Sequence, residues 1–508
     1  MKSAPNQHRK LLYGLLIVGV FMLMFPYSNW LNEEKKRRDL GEAAIGQVDT
    51  GSFMLKLALL GGARGIAANV LWTRAEELKK EQDWDRLKTT VDLITKLQPH
   101  FLSIWTFQSW NLAYNVSVEW DAPEDKYEWI KKGIQFVQEG VKKNRRSPDL
   151  RWDTAWTYYH KLGFADEAII LRRLFRDDED EDFKTYVDPE TKVRVVKHDN
   201  FQLGYGWFSD AIALVDSGES RLQGGTREEE SADITAHRNE GVQDVTYVDP
   251  APQRKGRPGD LAFRSMPAHA QTRYAAGLEK MSILDVPATF GEVASSEWTR
   301  ALNEWVKFGS YEFMTHNEVE IRPGVRGKQP VHLDDDTKPE VYKQLHENQR
   351  YWTSRWSDQM NYRYWKDRSA SERTKPGVEA RRLFYEGTIA YKKADFRTAV
   401  DKFKDGLALW EQLLKDHKDY RNDDFNKKDT GLIVKRYVRA LRQLGENEPK
   451  DLPFRELLAA SSDQENTPDP FDATEMLGPR DERQGQTTPT GGALPKPFVA
   501  PAPSAPGG

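Results

Sequence analysis

Residues 380–407 read ARRLFYEGTIAYKKADFRTAVDKFKDGL. Small and apolar residues recur at three- and four-residue intervals on both sides of a polar turn, Lys392-Lys393-Ala394-Asp395-Phe396. This predicts two amphipathic helices folded back on each other. Leu383, Gly387, Ala390, Phe396, Ala399 and Phe403 fall where the two helices touch. The small residues let the backbones approach and the bulky ones fill the space between. Two helices and a tight turn, in a repeat of about 34 residues, is the grammar of tetratricopeptide-like (TPR) arrays. Pro376 stands where a first helical turn tolerates it. A further helix over 432–444 is expected to cap the C-terminal unit, which spans 376–445.

Working outward, residues 70–101 carry a looser copy. With Pro99 closing its second helix, Leu71, Ala75, Leu78, Trp84, Val91 and Ile94 take the packing positions, and Leu87 is large where a small residue is expected. A second unit starts near Leu102, with Trp105, Ser109 and Leu112 on its first helix. A hydrophilic insertion follows over 119–125, and Gly133, Val137 and Gly140 mark the second helix, which ends before Pro148. A third unit starts near Leu150, with Trp152, Tyr159, Gly163 and Ala168; Arg172 stands where a bulky apolar residue is expected. These units make an N-terminal TPR-like block over 52–182.

Between the blocks the helical period fades. Residues 183–260 hold β-like pieces at 193–196 and 245–248, Gly and Pro turns, and a polar stretch over 218–241, and are read as an irregular or partly disordered insertion. Helical patterns return in a segment over 261–370, at 268–281 and 295–313. Turn-rich sequence covers 322–337, and one long helix is expected over 340–369 with an aromatic stripe from Tyr342 to Trp365. Residues 461–508 hold nine prolines and are read as a disordered tail, able to sample polyproline conformations and to serve as a ligand for another module.

Residues 11–31, LLYGLLIVGVFMLMFPYSNWL, carry no charge. About 20 residues at 1.5 Å each cover a hydrocarbon core of roughly 30 Å. Tyr27 and Trp30 suit an interfacial belt, and no small-x-small cleavage site follows. A transmembrane helix preceded by a short polar tail, 1–10, is expected. Lys2, Arg9 and Lys10 before the span nearly balance Lys35, Lys36, Arg37 and Arg38 after it, and the expectation is a cytoplasmic tail with an exported body. A second apolar stretch, 53–72, contains Lys56 and Arg64 and reads as an amphipathic helix opening the array, able to rest on a membrane surface.

The fold class expected is therefore mainly α: an N-terminal transmembrane helix, then TPR-like repeats in an α-α superhelix, with an irregular central insertion and a disordered tail. Apolar residues are 38% of the 508, mean hydropathy is -0.75 and net charge is -4. The near balance gives no nucleic-acid footprint. Cysteine is absent, which excludes disulfides, thiolate metal sites and cysteine nucleophiles.

Chemistry-bearing motifs are sparse. The ten histidines show no i, i+4 pair and no H-E-x-x-H. His160, beside Tyr158 and Tyr159, reads as a repeat-surface or packing residue rather than a ligand. The acidic run 177–182 lacks the glycine turn and distal Glu of an EF-hand loop and reads as a solvated helix end. Gly204-Tyr205-Gly206 has Ser209 where a dinucleotide fingerprint has its third glycine. Most of the 16 tryptophans read as core wedges, with an aromatic binding surface as the alternative. No catalytic, cofactor-binding or metal-binding residue, and no cofactor, is expected.

Residues 60–72 (LGGARGIAANVLW), 97–121 (LQPHFLSIWTFQSWNLAYNVSVEWD), 156–168 (WTYYHKLGFADEA) and 360–387 (MNYRYWKDRSASERTKPGVEARRLFYEG) resemble a group of uncharacterised bacterial membrane-anchored TPR-like proteins. Some of that group carry the label "IRE (iron responsive element)". The resemblance implies architecture and anchoring. The expected function is a scaffold for protein partners in the bacterial cell envelope, without catalysis. An envelope-polymer hydrolase with two converging carboxylates in the central region, 183–340, is the alternative. An iron- or RNA-linked regulator rests on the label alone. The identity of the protein partners and the oligomeric state are not legible in the sequence.

Overall fold

The computed structural model describes residues 63–81, 83–217, 255–256, 260–279 and 286–460. The expected membrane span at 11–31, the tail 1–10, the β-like piece 245–248, the polar stretch 218–241 and the tail 461–508 lie outside the described residues. Among the described residues no helix is long and apolar enough to cross a membrane. The fold is mainly α, and the chain divides into two compact units, up to Ile104 and from Trp105.

In the first unit, α1 (Ala63–Lys80) and α2 (Trp84–Leu97) form a helix pair. Asp83 caps α2 by accepting from the Arg86 amide at 3.2 Å, which satisfies one of the free N–H groups of a helix start. Ala75, Leu78, Leu87, Val91 and Ile94 are fully enclosed. Leu87, the large residue in a small position, is accommodated as core.

In the second unit most helices pack on a neighbour in sequence. The first helix, α3, runs from Leu102 to Trp110 and continues through a π-helical turn, Asn111–Val116, and a 3₁₀ turn, Ser117–Glu119. It pairs with α4 (Pro123–Lys143). Gly140 makes the crossing close: a Cβ there would lie 2.8 Å from the Trp105 ring. Helix α5 (Pro148–Trp156) likewise passes through a π-helical turn, Thr157–Lys161, and ends at Phe164. It is followed by α6 (Ala168–Asp177). Arg172 on α6, the departure from the repeat pattern, is buried and tied to Asp199 at 2.9 Å and to Asn200 at 2.7 Å.

The region read as irregular contains an antiparallel pair, β1 (Thr185–Val187) and β2 (Arg194–Val196), and a full helix, α7 (Asn200–Asp216). Two features hid α7. It is apolar around most of its circumference, so it lacks the polar-apolar alternation that marks a surface helix. Its two glycines also read as turn signals. Gly206 instead admits the Tyr186 ring, 2.5 Å from where a Cβ would stand. In the acidic run Asp177, Glu179, Glu181 and Asp182 are exposed, as expected of a solvated helix end, and Asp178 is the main exception. Asp178 accepts from the Tyr127 hydroxyl at 2.6 Å and from Lys131 at 2.8 Å, clasping α4 to the end of α6.

Helix α7 packs on α5 and on α8 (Asp260–Leu278), α8 on α9 (Glu292–Gly309). A small sheet joins β3 (Lys255–Gly256), β4 (Glu312–Met314) and β7 (Pro330–Val331), with a hairpin of β5 (Val319–Arg322) and β6 (Val325–Gly327) between. The single long helix expected over 340–369 is three: α10 (Pro339–Gln344), α11 (Glu347–Gln359) and α12 (Tyr362–Glu372). His346 starts α11, its Nδ1 accepting from the Asn348 amide while Gln349 reaches back to the His346 amide, a capping box. Asn361, at φ 49°, takes the left-handed conformation that asparagine tolerates and breaks the next junction.

The C-terminal pair, α13 (Lys375–Lys392) and α14 (Phe396–Leu414), matches the packing positions of the repeat frame. Ala399 and Phe403 are inaccessible to solvent, and a Cβ on Gly387 would lie 2.8 Å from the Phe403 ring. Ala394 turns the chain at φ 59° and Asp395 caps α14. After α15 (Lys418–Asn422), α16 (Asp424–Gln443) packs on α14, beginning eight residues earlier than the expected cap, and α17 (Glu456–Ala460) packs on α16.

Beneath this pair lies a buried charge cluster. Glu372 is fully enclosed and grips Arg381 through Nε at 3.0 Å and Nη2 at 2.6 Å, while the Tyr420 hydroxyl donates to it at 2.6 Å. Burial alone would raise the pKa of Glu372; Arg381 reverses that and holds it below the ordinary glutamate value. Arg381 also lies 4.4 Å over the Trp410 ring.

Two outcomes follow from this packing. Ala399→Trp forces a bulky ring into a close crossing and is expected to lower stability by about 1–3 kcal/mol or more; an unchanged melting temperature would show the crossing to be elsewhere. Arg381→Met strands a buried carboxylate and is expected to lose roughly 3–5 kcal/mol. The double variant Arg381→Met/Glu372→Gln should recover part of that loss in a denaturant titration, because it removes the stranded charge.

Candidate functional site

Helices α3 and α5 run side by side in the same direction. Thr106 Oγ1 donates to Asp153 at 2.6 Å, and two turns later the Tyr114 hydroxyl meets His160 Nδ1 at 3.3 Å. On α5 the residues Trp152, Trp156, His160 and Phe164 are spaced by fours. Their rings stack in sequence: Trp152 on Trp156 at 5.1 Å, Trp156 on His160 at 4.8 Å, and His160 on Phe164 at 6.0 Å, with interplanar angles of 9°, 9° and 21°. On α3, Trp110 stacks on Tyr114 at 4.0 Å, and Tyr114 meets His160 at 6.0 Å. Six rings thus form one ladder across two helices.

An ordinary α-helix would not hold that row. Four residues overshoot a turn of 3.6 by about 40°, so three such steps wander through roughly 120°. A π-helical turn takes up one more residue and drags the row back. The π turn at Thr157–Lys161 falls across the middle of the α5 row, and the one at Asn111–Val116 contains Tyr114 on α3. The two turns keep the rings aligned.

Most of the ladder is half-buried: Trp110, Trp152, Asp153, Trp156, His160, Lys161 and Phe164 each keep some open surface. Protein nevertheless surrounds the titratable members of this floor on most sides. Burial pushes the Asp153 carboxyl up to about 7, against the pull of the Thr106 hydroxyl and with a push from Asp149. Burial, with the charge of Lys161, brings His160 down to about 4. Burial brings Lys161 down to about 8, opposed by Glu167. Tyr114 is raised by burial and by Asp153. Near neutral pH the floor therefore carries neutral imidazole and half-protonated carboxyl. Lys161 stands over the Tyr114 ring at 5.2 Å, and Arg273 of α8 over Phe164 at 5.3 Å and over Trp365 of α12 at 5.5 Å. The Trp152 indole N–H is buried without an acceptor.

His160, read from sequence as a repeat-surface or packing residue, is a rung of this ladder. Asp153, Trp156, Lys161 and Phe164 were not singled out by sequence; the fourfold spacing of rings was the available signal. On α7, Gly204 faces Tyr159 of α5 and Gly206 admits the Tyr186 ring of β1. Among the described residues, no group of three or more His, Asp or Glu side chains is placed to hold a metal ion.

A separate cleft of about 280 Å³ is lined by Arg172, Arg176, Lys197, His198, Asp199 and Tyr274, among others. Its charged groups work for the fold: Asp199 caps α7, accepting from the Phe201 amide at 2.9 Å, and binds Arg172. Among the described residues Asp199 is the one carboxylate lining the cleft.

The ladder makes opposed pH contributions. Folded Asp153 keeps its proton up to about pH 7, whereas an unfolded aspartate loses it near about 3.9. The folded state binds the extra proton in that window, so this group withdraws stability as pH rises through it. His160 does the reverse, because the unfolded imidazole takes a proton below 6.5 that the folded one refuses down to about 4. Relative to the unsubstituted protein, Asp153→Asn should make stability climb more steeply between pH of about 4.5 and 6.5, and His160→Gln less steeply. Each difference should be roughly 1–3 kcal/mol after allowance for partial exposure. Denaturant midpoints at the two pH values measure it, and parallel profiles for all three proteins would contradict the burial of these groups. No protein-family model and no curated protein sequence matches the chain, so a functional reading rests on this geometry.

Proposed function

We propose that the chain is a membrane-anchored, TPR-like scaffold of the bacterial cell envelope that holds an extended segment of a partner protein along the aromatic ladder, without catalysis. Residues 11–31 supply the anchor and the folded body stands on the exported side. Helices α3 and α5 are the first helices of successive pairs. In a TPR-like stack such helices run parallel and share a face, so successive pairs present one continuous surface.

The observation that carries this reading is the row Trp152, Trp156, His160 and Phe164, held straight by a π turn. π turns are rare and concentrate at functional sites. Rings supply large contact area with little side-chain entropy to lose, and tryptophan and tyrosine dominate binding hot spots. Perturbed titratable groups within the same recess accompany functional surfaces.

A photo-reactive amino acid in place of Trp156, with a second chain carrying it at the exposed Lys142 on α4, tests the reading in native membranes. Adducts heavier than the chain itself are expected at 156 and not at 142. Equal yields at both positions, or none at 156, would remove the ladder as the docking surface.

A further inference from the structure

We infer that the outer edge of β2 is a docking site for an extended acidic segment of a partner protein, which adds to the β1–β2 hairpin as a third strand. This surface is separate from the aromatic ladder, and its assignment does not depend on the ladder being a docking surface.

The register of the hairpin leaves this edge open. Thr185 stands opposite Val196, Tyr186 opposite Val195 and Val187 opposite Arg194. At one end the Lys197 amide donates to the Lys184 carbonyl at 3.0 Å, and at the other the Asp188 amide donates to the Val193 carbonyl at 2.9 Å. In an antiparallel pair the main-chain groups of successive residues alternate between the partner strand and the far side. Val193, Val195 and Lys197 therefore turn theirs toward β1, and Arg194 and Val196 turn theirs away. Strand β1 packs on α7, and among the described residues the sheet has no third strand. The N–H and C=O of Arg194 and of Val196 thus face outward together, a template for main-chain pairing with another chain.

The side chains select the occupant. Val193, Arg194 and Val196 are exposed, and so is Val187 beside them on β1. Residues 192–198 read KVRVVKH, with three fixed cations and no carboxylate. Arg194 pairs with the exposed Asp182, a contact worth little in water and open to exchange for a partner's carboxylate. The edge also runs into the cleft of about 280 Å³, where Val196, Lys197 and His198 join Arg172 and Arg176 in the lining. A second copy of β2 would bring the same cations face to face, and lysine on an edge strand is a common guard against such self-pairing. An extended segment with alternating acidic and apolar side chains satisfies the free main chain, covers the exposed valines and answers the charge. Main-chain bonds would supply its affinity and the charges its selection over other segments.

The probe is a fluorescent hexapeptide of alternating glutamate and valine, titrated against the full-length protein by fluorescence anisotropy. Saturable binding is expected. Methylating all its peptide nitrogens keeps every side chain, removes the donors and should weaken binding roughly tenfold or more. Val196→Pro deletes one outward N–H where an edge strand tolerates proline. It should leave the melting temperature in place and weaken binding by up to about tenfold. Lys197→Glu should weaken binding and flatten its salt dependence. Binding unmoved by methylation of the probe would overturn the proposal, and that comparison needs no variant to fold. So would equal binding of a lysine–valine hexapeptide, or no saturable binding of the glutamate–valine one. Concentration-dependent dimers that Val196→Pro disperses would also overturn it, because the occupant would then be a second copy of this chain.

Discussion

An aromatic ring meeting a glycine at a helix crossing is the interaction on which the second unit depends. Trp105 lies against Gly140 and Phe403 against Gly387, each so close that a Cβ would stand 2.8 Å from a ring atom. Such a contact admits one orientation of each helix. Once Trp105 faces α4, the row Thr106, Trp110 and Tyr114 must look elsewhere. On α5, Gly163 receives the Phe201 ring of α7, which commits one side of α5 to packing. The side bearing Trp156, His160 and Phe164 is left over. The ladder is thus the remainder after the crossings have been satisfied, and its position follows from the fold rather than from a loop.

That remainder would still drift around the helix without the π turns. Each one widens the helix by a residue at the place where a fourfold row would slip sideways. Both helices do this at matching levels, so the offset between bonded partners changes only from 47 residues at Thr106–Asp153 to 46 at Tyr114–His160. Rings on one helix therefore stay opposite rings on the other. Stacked aromatic pairs contribute about 0.5–1.5 kcal/mol each beyond their buried area, which offsets the poorer hydrogen bonding of the widened turns.

The C-terminal pair was legible in sequence because its period, its small-large alternation and its turn all agree. Ala399, Phe403 and Gly387 took the positions assigned to them. Helix α7 was not legible: a helix buried on most sides carries no amphipathic period, and its glycines imitate a turn until Tyr186 is seen resting on one of them. The breaks at His346 and Asn361 depend on a side-chain cap and a single left-handed residue, which a window of apolar spacing averages away. The ladder escaped for a related reason. A row spaced strictly by four contradicts the 3.6 period, so it looks like scattered core until the π turn is known. Arg172 showed up in sequence as an anomaly, and its partners, Asp199 and Asn200, lie across an intervening hairpin that no local pattern could bridge.

The electrostatics of the recess narrow what the proposed groove would hold. Near neutral pH burial keeps His160 neutral and leaves Asp153 about half protonated, so these two groups give the floor little charge of its own. The cations stand over the rings: Lys161 over Tyr114 and Arg273 over Phe164. A cation above a ring keeps its attraction for nearby anions while the ring face stabilises it. A neutral floor with positive groups beside it fits a segment whose core is apolar and acceptor-rich and whose acidic residues lie outside the core. In such a segment affinity would come from ring contact and register from the flanking charges.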